Sequence, residues 1–520
     1  MRQCMRDAFD HSLTLNADSV AIEFGSRRTT YAELDRWADA VAVQLAGYGI
    51  GPGDPVAIYL HNCPAFFAVD VAIARLGAVK VPLNYMLPTG TVGHCLAKAK
   101  ARVLVTGTRL AEAARSAASE LPDLILVEAC EDEHASPSGN RVLVGEPASE
   151  NRPARLPELG EHVTPESPAA LYFTGGTTGL PKGVLHSQAS TLAFHYAQLL
   201  EAEILQDERL LLMTPLAHAA GLFGQSALIR GATIVLTDGF DAEGTAQLLT
   251  ESHITWVFLV PTMIYRLIDI LQGSERQLDL RTIVYGAAPI APSRLEQALA
   301  LFGQVFVQLY GQTESPNWGT RLGKKDHDVT RPHLLGSCGQ ASIMADVKIV
   351  DDTGQTLGPT ETGEICLRTP YLLDRYVDAP EATDEKFLDG WIRTGDIGML
   401  DQAGYLYLLD RKSDMVISGG MNVYCREVED MLTTHPSIKD VAVIGIPHPD
   451  WGEAVHAVVV TAGNDFDADA VIQWTRGRLA AYARPKSIEV VESLPETPFG
   501  KVDKKVLRAP HWSEQARAIG

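Results

Sequence analysis

Short runs rich in valine and isoleucine alternate with helix-length amphipathic stretches twice along this chain, and that rhythm constrains the fold more than any other feature. The first series runs through residues 56–60, 64–79, 80–83 and 102–106. The second has runs at 169–173, 209–213, 232–237, 255–260, 282–285 and 305–309, separated by helical stretches such as 187–200 and 292–302. Strands buried on both faces read as continuous apolar runs, and parallel neighbours need a crossover helix between them. The pattern predicts an α/β fold whose large N-terminal domain has two α/β layers. Between the series, residues 128–168 carry six prolines among acidic and small residues, which reads as a surface excursion or linker. From about 336 to 410 the texture changes to short strands (363–368, 404–409) and glycine-rich turns, predicting a small β-barrel-like subdomain. Past Arg411 a mixed pattern follows, with helices at 426–433 and 468–482 and strands at 440–446, 455–461 and 487–492. The expected division is therefore 1–410 and a small α+β domain over 411–520.

At 520 residues the chain can bury a large core without disulfides, and its seven cysteines are scattered and never spaced C-x-x-C. Sixty-five acidic against 44 basic residues give a net charge of −21, which repels phosphodiester backbones and anionic lipid. Nucleic acid is not an expected partner. A small anion still is, because one lysine and a few oriented amides act locally. The start Met-Arg-Gln-Cys-Met-Arg-Asp has no apolar h-region, and no run approaches 18 apolar residues. A soluble cytoplasmic protein without an integral membrane segment is the expectation.

The most informative stretch is Tyr172-Phe-Thr-Gly-Gly-Thr-Thr-Gly-Leu-Pro-Lys182, a loop after an apolar run. Gly175, Gly176 and Gly179 let the backbone approach a ligand, Thr174, Thr177 and Thr178 add hydroxyls, and Lys182 adds a charge, as a phosphate cradle requires. It is not a Walker A loop, because no glycine directly precedes Lys182 and no Ser or Thr follows it. An ordinary turn is the alternative reading. Tyr310-Gly-Gln-Thr-Glu314 follows a run, which puts an aromatic face, a hydroxyl and a carboxylate at a strand's carboxyl end; an adenine ring, a phosphate oxygen and Mg²⁺ suit those groups in turn. Tyr285-Gly-Ala-Ala-Pro289 leaves another run with almost no side chain, a slot for a flat base. Arg393-Thr-Gly-Asp396 sets a carboxylate where it could take both hydroxyls of a ribose, or serve as a cap. Near the end, Lys501 follows Gly500 as a point charge for a phosphoryl transition state, or as part of a basic solvated tail.

Taken together these segments resemble the adenylate-forming superfamily of acyl-CoA synthetases, peptide-synthetase adenylation domains and firefly luciferase. The likeness runs from Thr30-Tyr-Ala-Glu-Leu34 to Lys501, and the stretch Gly404 to Glu429 looks most like fatty-acyl and aryl-acid CoA ligases. The resemblance implies a carboxylic acid, ATP and CoA as small-molecule partners, with Mg²⁺, and an acyl-adenylate formed before a thiol displaces AMP. It implies that residues 174 to 182 hold the β,γ-phosphates, and that Tyr310, Gly311, Gln312 and the strip Gly286, Ala287, Ala288 and Pro289 enclose adenine. Thr313 would meet the α-phosphate, Glu314 the Mg²⁺, Asp396 and Arg411 the ribose, and Ser418, Gly419 and Gly420 the thiol tunnel. Lys501, His218, Thr178 and Glu314 form the implied catalytic set, with His218 beside the substrate carboxylate. His218, Leu222, Tyr285, Gly311 and Trp318 are the expected acid pocket, mostly apolar or aromatic, which suits a fatty or ring-bearing acid. The C-terminal domain is implied to be a mobile lid that turns about Ser413, and a homodimer follows by analogy.

Departures from the family pattern are Ser413 where lysine or aspartate is common, Cys425 for proline, Gly175 for serine and Ala217 for an aromatic. Two alternatives share most of these motifs. One is an adenylating enzyme that loads a carrier-protein phosphopantetheine. The other is a degenerate protein that binds a nucleotide or acyl-adenylate without turnover; Lys182, Glu314, Asp396, Arg411 and Lys501 argue against it.

Overall fold

The two apolar series fold into two sheets of one compact unit, which comprises residues 1–176, 180–347 and 367–392. A computed structural model describes residues 4–131, 141–143, 145, 163–174, 180–273, 278–288, 290–463, 465–496 and 502–512. A nine-stranded sheet is ordered Gln340–Ala341, Ser315–Leu322, Phe306–Gln312, Thr282–Tyr285, Trp256–Leu259, Arg209–Leu212, Thr233–Leu236, Val20–Phe24, Arg27–Thr30. Its central strands are parallel, and antiparallel strands close both edges. A seven-stranded sheet is ordered Arg375–Tyr376, Lys182–Ser187, Pro168–Thr174, Val79–Pro82, Pro55–Tyr59, Val103–Gly107, Ile125–Ala129, with its first two strands antiparallel. The α/β layers read from the sequence are thus borne out.

Side-chain alternation along the strands sorts the core. Leu210 and Leu212 share one apolar cluster with Val56 and Ile58 of the other sheet, whereas Leu211 and Ala57 face away into separate clusters. The shared core is filled by helices Tyr31–Gly47, Pro64–Arg75, Gln188–Glu201 and Ala219–Arg230. Pro64–Arg75 is apolar nearly all round, as a helix between two sheets must be. The Thr30 motif is a capping box: Glu33 N–H donates to Thr30 Oγ1 at 3.2 Å and Thr30 N–H donates to Glu33 Oε2 at 2.7 Å, which starts the helix Tyr31–Gly47.

The second unit comprises residues 177–179, 348–366 and 393–520. In it Leu406–Arg411 pairs antiparallel with residues 396–400, and a further sheet is ordered Met421–Val423, Val416–Ser418, Gly452–Thr461, Ile438–His448, with Ser487–Val490 beside Gly452–Thr461. The helix expected over 468–482 stops at Trp474, because Thr475 N–H closes onto Val471 and Ile472 carbonyls and Gly477 takes φ +77°. The expected linker also begins later than its composition says. Strand Ile125–Ala129 runs into it, and Glu131 is buried, accepting from His61 N–H at 2.7 Å. Among the described residues, no helix is long and apolar enough to cross a membrane.

Candidate active site

In the first unit the hairpin Pro168–Thr174 and Lys182–Ser187 pairs Thr174 with Lys182, so both ends of the glycine-rich loop meet. Gly175, Gly176, Thr177, Thr178 and Gly179 themselves lie outside the described residues, as do Pro289 and Lys501. Exposed Lys182 holds its Nζ 5.4 Å from the centre of the Tyr376 ring. Tyr376 O–H in turn donates to Glu314 Oε1 at 2.5 Å. One phenol therefore joins the loop's cation to the carboxylate of a segment far away in sequence. Burial, reinforced by Glu314, pushes the phenol's pKa up and keeps it a donor.

The Thr313-Glu314 pair stands at a strand's carboxyl end, as expected, where it forms a two-residue turn; the strand itself runs past the expected 309. Phe306–Gln312 continues to Gln312, which pairs with Ser315 of the next strand. Three groups fix the turn. His186 Nε2 lies 2.9 Å from Thr313 O, Leu373 N–H donates to Glu314 O at 2.8 Å, and Tyr376 holds the carboxylate. Lys386 donates to Gln312 Oε1 at 2.7 Å and stands 3.9 Å from Glu314 Oε1. The pairing slips at Tyr310, which faces both Trp318 and Thr320, and this bulge brings Gly311 so close to Asn317 that a Cβ would sit 2.7 Å from its backbone. Gly286 is equally confined, since a Cβ there would sit 2.7 Å from Leu309 O, and Ala287 beside it holds φ +66°, an uncommon conformation for a residue with a Cβ.

His218 caps the helix Ala219–Arg230 and lies 3.2 Å from Asn84 Nδ2 through Nε2. The loop before it is pinned by buried Asn62, which donates to Thr214 O at 3.0 Å and accepts from Leu216 N–H at 3.1 Å. Leu222 and Trp318 meet through buried Gln198, which donates to Leu222 O at 2.8 Å while its Oε1 lies 3.4 Å from Trp318 Nε1. Tyr285, expected in the same pocket, is elsewhere. It is fully buried with the helices on the opposite face of the nine-stranded sheet, its hydroxyl 3.0 Å from His327 Nε2. The reason is parity: Val284 points to the shared core, so Tyr285 points away from it.

The second unit carries Asp396 and Arg411 as cross-strand partners, with Arg411 Nε 3.7 Å from Asp396 Oδ1. The turn before Asp396 is built on Glu364, whose carboxylate accepts from Arg393 at 2.9 Å and from Gly395 N–H at 3.2 Å. Ser413 lies in a turn closed by Asp414 N–H donating to Arg411 O at 2.9 Å. Ser418 ends a strand whose two-residue connection, Gly419 at φ +59° and Gly420 at φ +79°, is a tight hairpin turn open only to residues that tolerate positive φ. Cys425 is a packed thiol, fully buried with Sγ 3.1 Å from Asp414 O, its pKa pushed well up by burial.

A family model described as AMP-binding enzyme matches residues 9–377, and a second, AMP-binding enzyme C-terminal domain, matches residues 427–501. The chain belongs to the AMP-binding enzyme family. The medium/long-chain-fatty-acid–CoA ligase FadD8 of Mycobacterium tuberculosis is 39% identical to this AMP-binding enzyme over 373 residues, 70% of the chain but only 65% of that protein's length. The feruloyl-CoA synthase of an Amycolatopsis species is 35% identical over 499 residues, 95% of the chain and 96% of that protein. Among solved structures, the amide bond synthetase McbA from Marinactinospora thermotolerans has a TM-score of 0.87 at 31% identity, covering 97% of the chain and 99% of its own. The likeness to the acyl-CoA synthetase branch, read first from the motifs, is borne out.

Residues that the motifs did not single out hold these segments of this AMP-binding enzyme in place: His186, Tyr376, Lys386, Asn62, Asn84 and Gln198 in the first unit, and Glu364 in the second. His186 is the most sensitive of them to pH. Burial drives its pKa down to about 4, so the ring is neutral and donates to Thr313 O. In the unfolded chain it takes up a proton near the ordinary histidine value of roughly 6.5. Its contribution is therefore complete above about pH 6.5 and is lost as pH falls toward 4, a difference of about 3 kcal/mol. His186→Gln keeps a donor without the titration, so its thermal midpoint should fall less than that of wild type between pH 7 and pH 4; equal slopes would show that His186 is not the group responsible.

Proposed function

We propose that this chain is an AMP-forming acid–CoA ligase acting on a hydrophobic carboxylic acid, fatty or aromatic. The observation that carries the reading is the meeting of Lys182 and Glu314 on Tyr376, which sets a phosphate-loop cation and a buried carboxylate at one place. In the first half-reaction a carboxylate oxygen bonds to the α-phosphorus of ATP and the bond to the β,γ-unit breaks, giving acyl-AMP and pyrophosphate. In the second, the sulfur of CoA attacks the acyl carbon, AMP leaves and the thiol proton is released. The activated ester supplies the leaving group that a free carboxylate lacks.

Lys182 and the amides of residues 174–179 are assigned to the β,γ-phosphates, Tyr310 with the Gly286 strip to adenine, and Thr313 to the α-phosphate. Asp396 and Arg411 are assigned to the ribose, Lys501 to the charge shared by the attacking carboxylate and the α-phosphate, and His218, steadied by Asn84, to the acid's carboxylate. Glu314 offers hard oxygen donors of the kind Mg²⁺ prefers, and Mg²⁺ there would offset triphosphate charge. Gly419 and Gly420 line the proposed thiol path, and Ser413 is the proposed pivot of the lid.

Pyrophosphate and AMP should appear in equal amounts, dependent on CoA and on an acid from a panel of medium-chain, long-chain, benzoic and cinnamic acids. ADP with phosphate would overturn the mechanism. Lys501→Ala should lose adenylation by about a hundredfold or more while still converting supplied acyl-AMP to acyl-CoA. The likeness to an amide bond synthetase favours one further arm, an amine in place of CoA. Amide formed in preference to thioester would move the acceptor from thiol to amine and leave the first half-reaction intact.

A further inference from the structure

We propose that His456, Glu489 and His511 form a binding site for a divalent transition metal, zinc by preference, within the C-terminal unit. Three separate segments supply the groups: His456 from strand Gly452–Thr461, Glu489 from the neighbouring parallel strand Ser487–Val490, and His511 from the turn after the helix Lys504–Arg508. One ligand atom from each lies within 4.8 Å of the others.

The decisive feature is the state of His456. The residue is 5% exposed, and its Nε2 is buried without a hydrogen-bond partner. Its other nitrogen, Nδ1, lies 2.7 Å from Ser487 Oγ, in register across the two strands. With Nδ1–H donating to that hydroxyl, the tautomer is fixed and Nε2 presents a bare lone pair. That lone pair faces Glu489 Oε2 at 3.5 Å, too long for a good hydrogen bond. A tetrahedral ion with ligand bonds of about 2.0–2.1 Å holds neighbouring ligand atoms roughly 3.3 Å apart, close to this spacing. The His511 ring stands with its centroid 5.2 Å from that of His456, and its chain is anchored by His511 N–H to Arg508 O at 3.0 Å and by Trp512 Nε1–H to Gly445 O at 2.9 Å.

Two imidazoles and one carboxylate are a nitrogen-rich, borderline set that suits zinc rather than magnesium or calcium, which prefer oxygen cages. Glu489 is half-exposed, so a fourth position opens to water. A bound ion would clip the segment after Lys504–Arg508 to the sheet, a few residues past Lys501 in sequence. The site shares no residue with those assigned to ATP, acid or CoA.

The test uses the full, tag-free chain stripped with a chelator and titrated with Zn²⁺ and, as a spectroscopic probe, Co²⁺, without ATP or Mg²⁺. The expected result is one ion per chain, a tetrahedral Co²⁺ absorption, and a thermal midpoint raised by Zn²⁺. His511→Ala and Glu489→Gln, both on accessible side chains, should each weaken Zn²⁺ binding at least about tenfold, and Ser487→Ala by about 10–100-fold. Glu314→Gln should leave Zn²⁺ binding unchanged, which separates this site from the one proposed for Mg²⁺. His511→Ala should keep AMP formation, which shows that the chain is folded and tests the proposed function apart from the metal. Zn²⁺ binding that is absent, or present but indifferent to both His511→Ala and Glu489→Gln, would overturn the proposal.

Discussion

Glu314→Gln is expected to lower kcat/KM for pyrophosphate release by about 10²–10³-fold while leaving the thermal midpoint almost where it was. The amide fills the same space and its oxygen can still accept from Tyr376, so the turn at Thr313 keeps its three fastenings. What disappears is a negative charge with little contact with solvent, at 8% exposure, next to the phenol that also contacts Lys182. If that charge holds the divalent cation accompanying ATP, the variant should also need more Mg²⁺ for half-maximal rate. Near-normal turnover with unchanged Mg²⁺ dependence would remove Glu314 from the reaction and return it to a structural role.

Gly221→Ala should cost about a hundredfold in kcat/KM, this time with a lowered thermal midpoint. A Cβ there would stand 2.0 Å from Leu216 O, a distance no packed structure tolerates, so the loop ahead of His218 has to move. The loop has little freedom to do so, because Asn62 holds it at both Thr214 O and Leu216 N–H. Displacing His218 by about an ångström is enough for a loss of this size when the group positions a reacting carboxylate. Steady-state kinetics with the preferred acid and a melting curve decide the matter; wild-type kcat/KM would show that His218 does not position the acid.

Much of this is legible in the sequence, for identifiable reasons. The strands announced themselves because both faces are buried, and the Lys182 loop and Glu314 because each sits in a compact motif. The groups that bring the motifs together were not, since Tyr376 is 62 residues from Glu314 and Asn84 is 134 residues from His218. A signal for Asn62 and Asn84 did exist: both are polar residues just past the carboxyl ends of apolar strands, where such sheets gather their ligands. Tyr285 shows the opposite failure. Its aromatic ring suits an acid pocket, but parity counted from Val284 sends it to the far face. The amphipathic pattern continues past Trp474 across Gly477, which the backbone uses to turn, so the helix is shorter than its pattern.

Tyr376 stands on a strand of only two residues, laid antiparallel beside Lys182–Ser187 with Tyr376 opposite Val184. A strand so short has no hydrophobic stripe to correct a misalignment, and a shift of a single residue turns every side chain over. The spacing of the chain on either side of this tyrosine is therefore part of the candidate site's specification: one residue added or lost here would swing the phenol away from both of its charged neighbours.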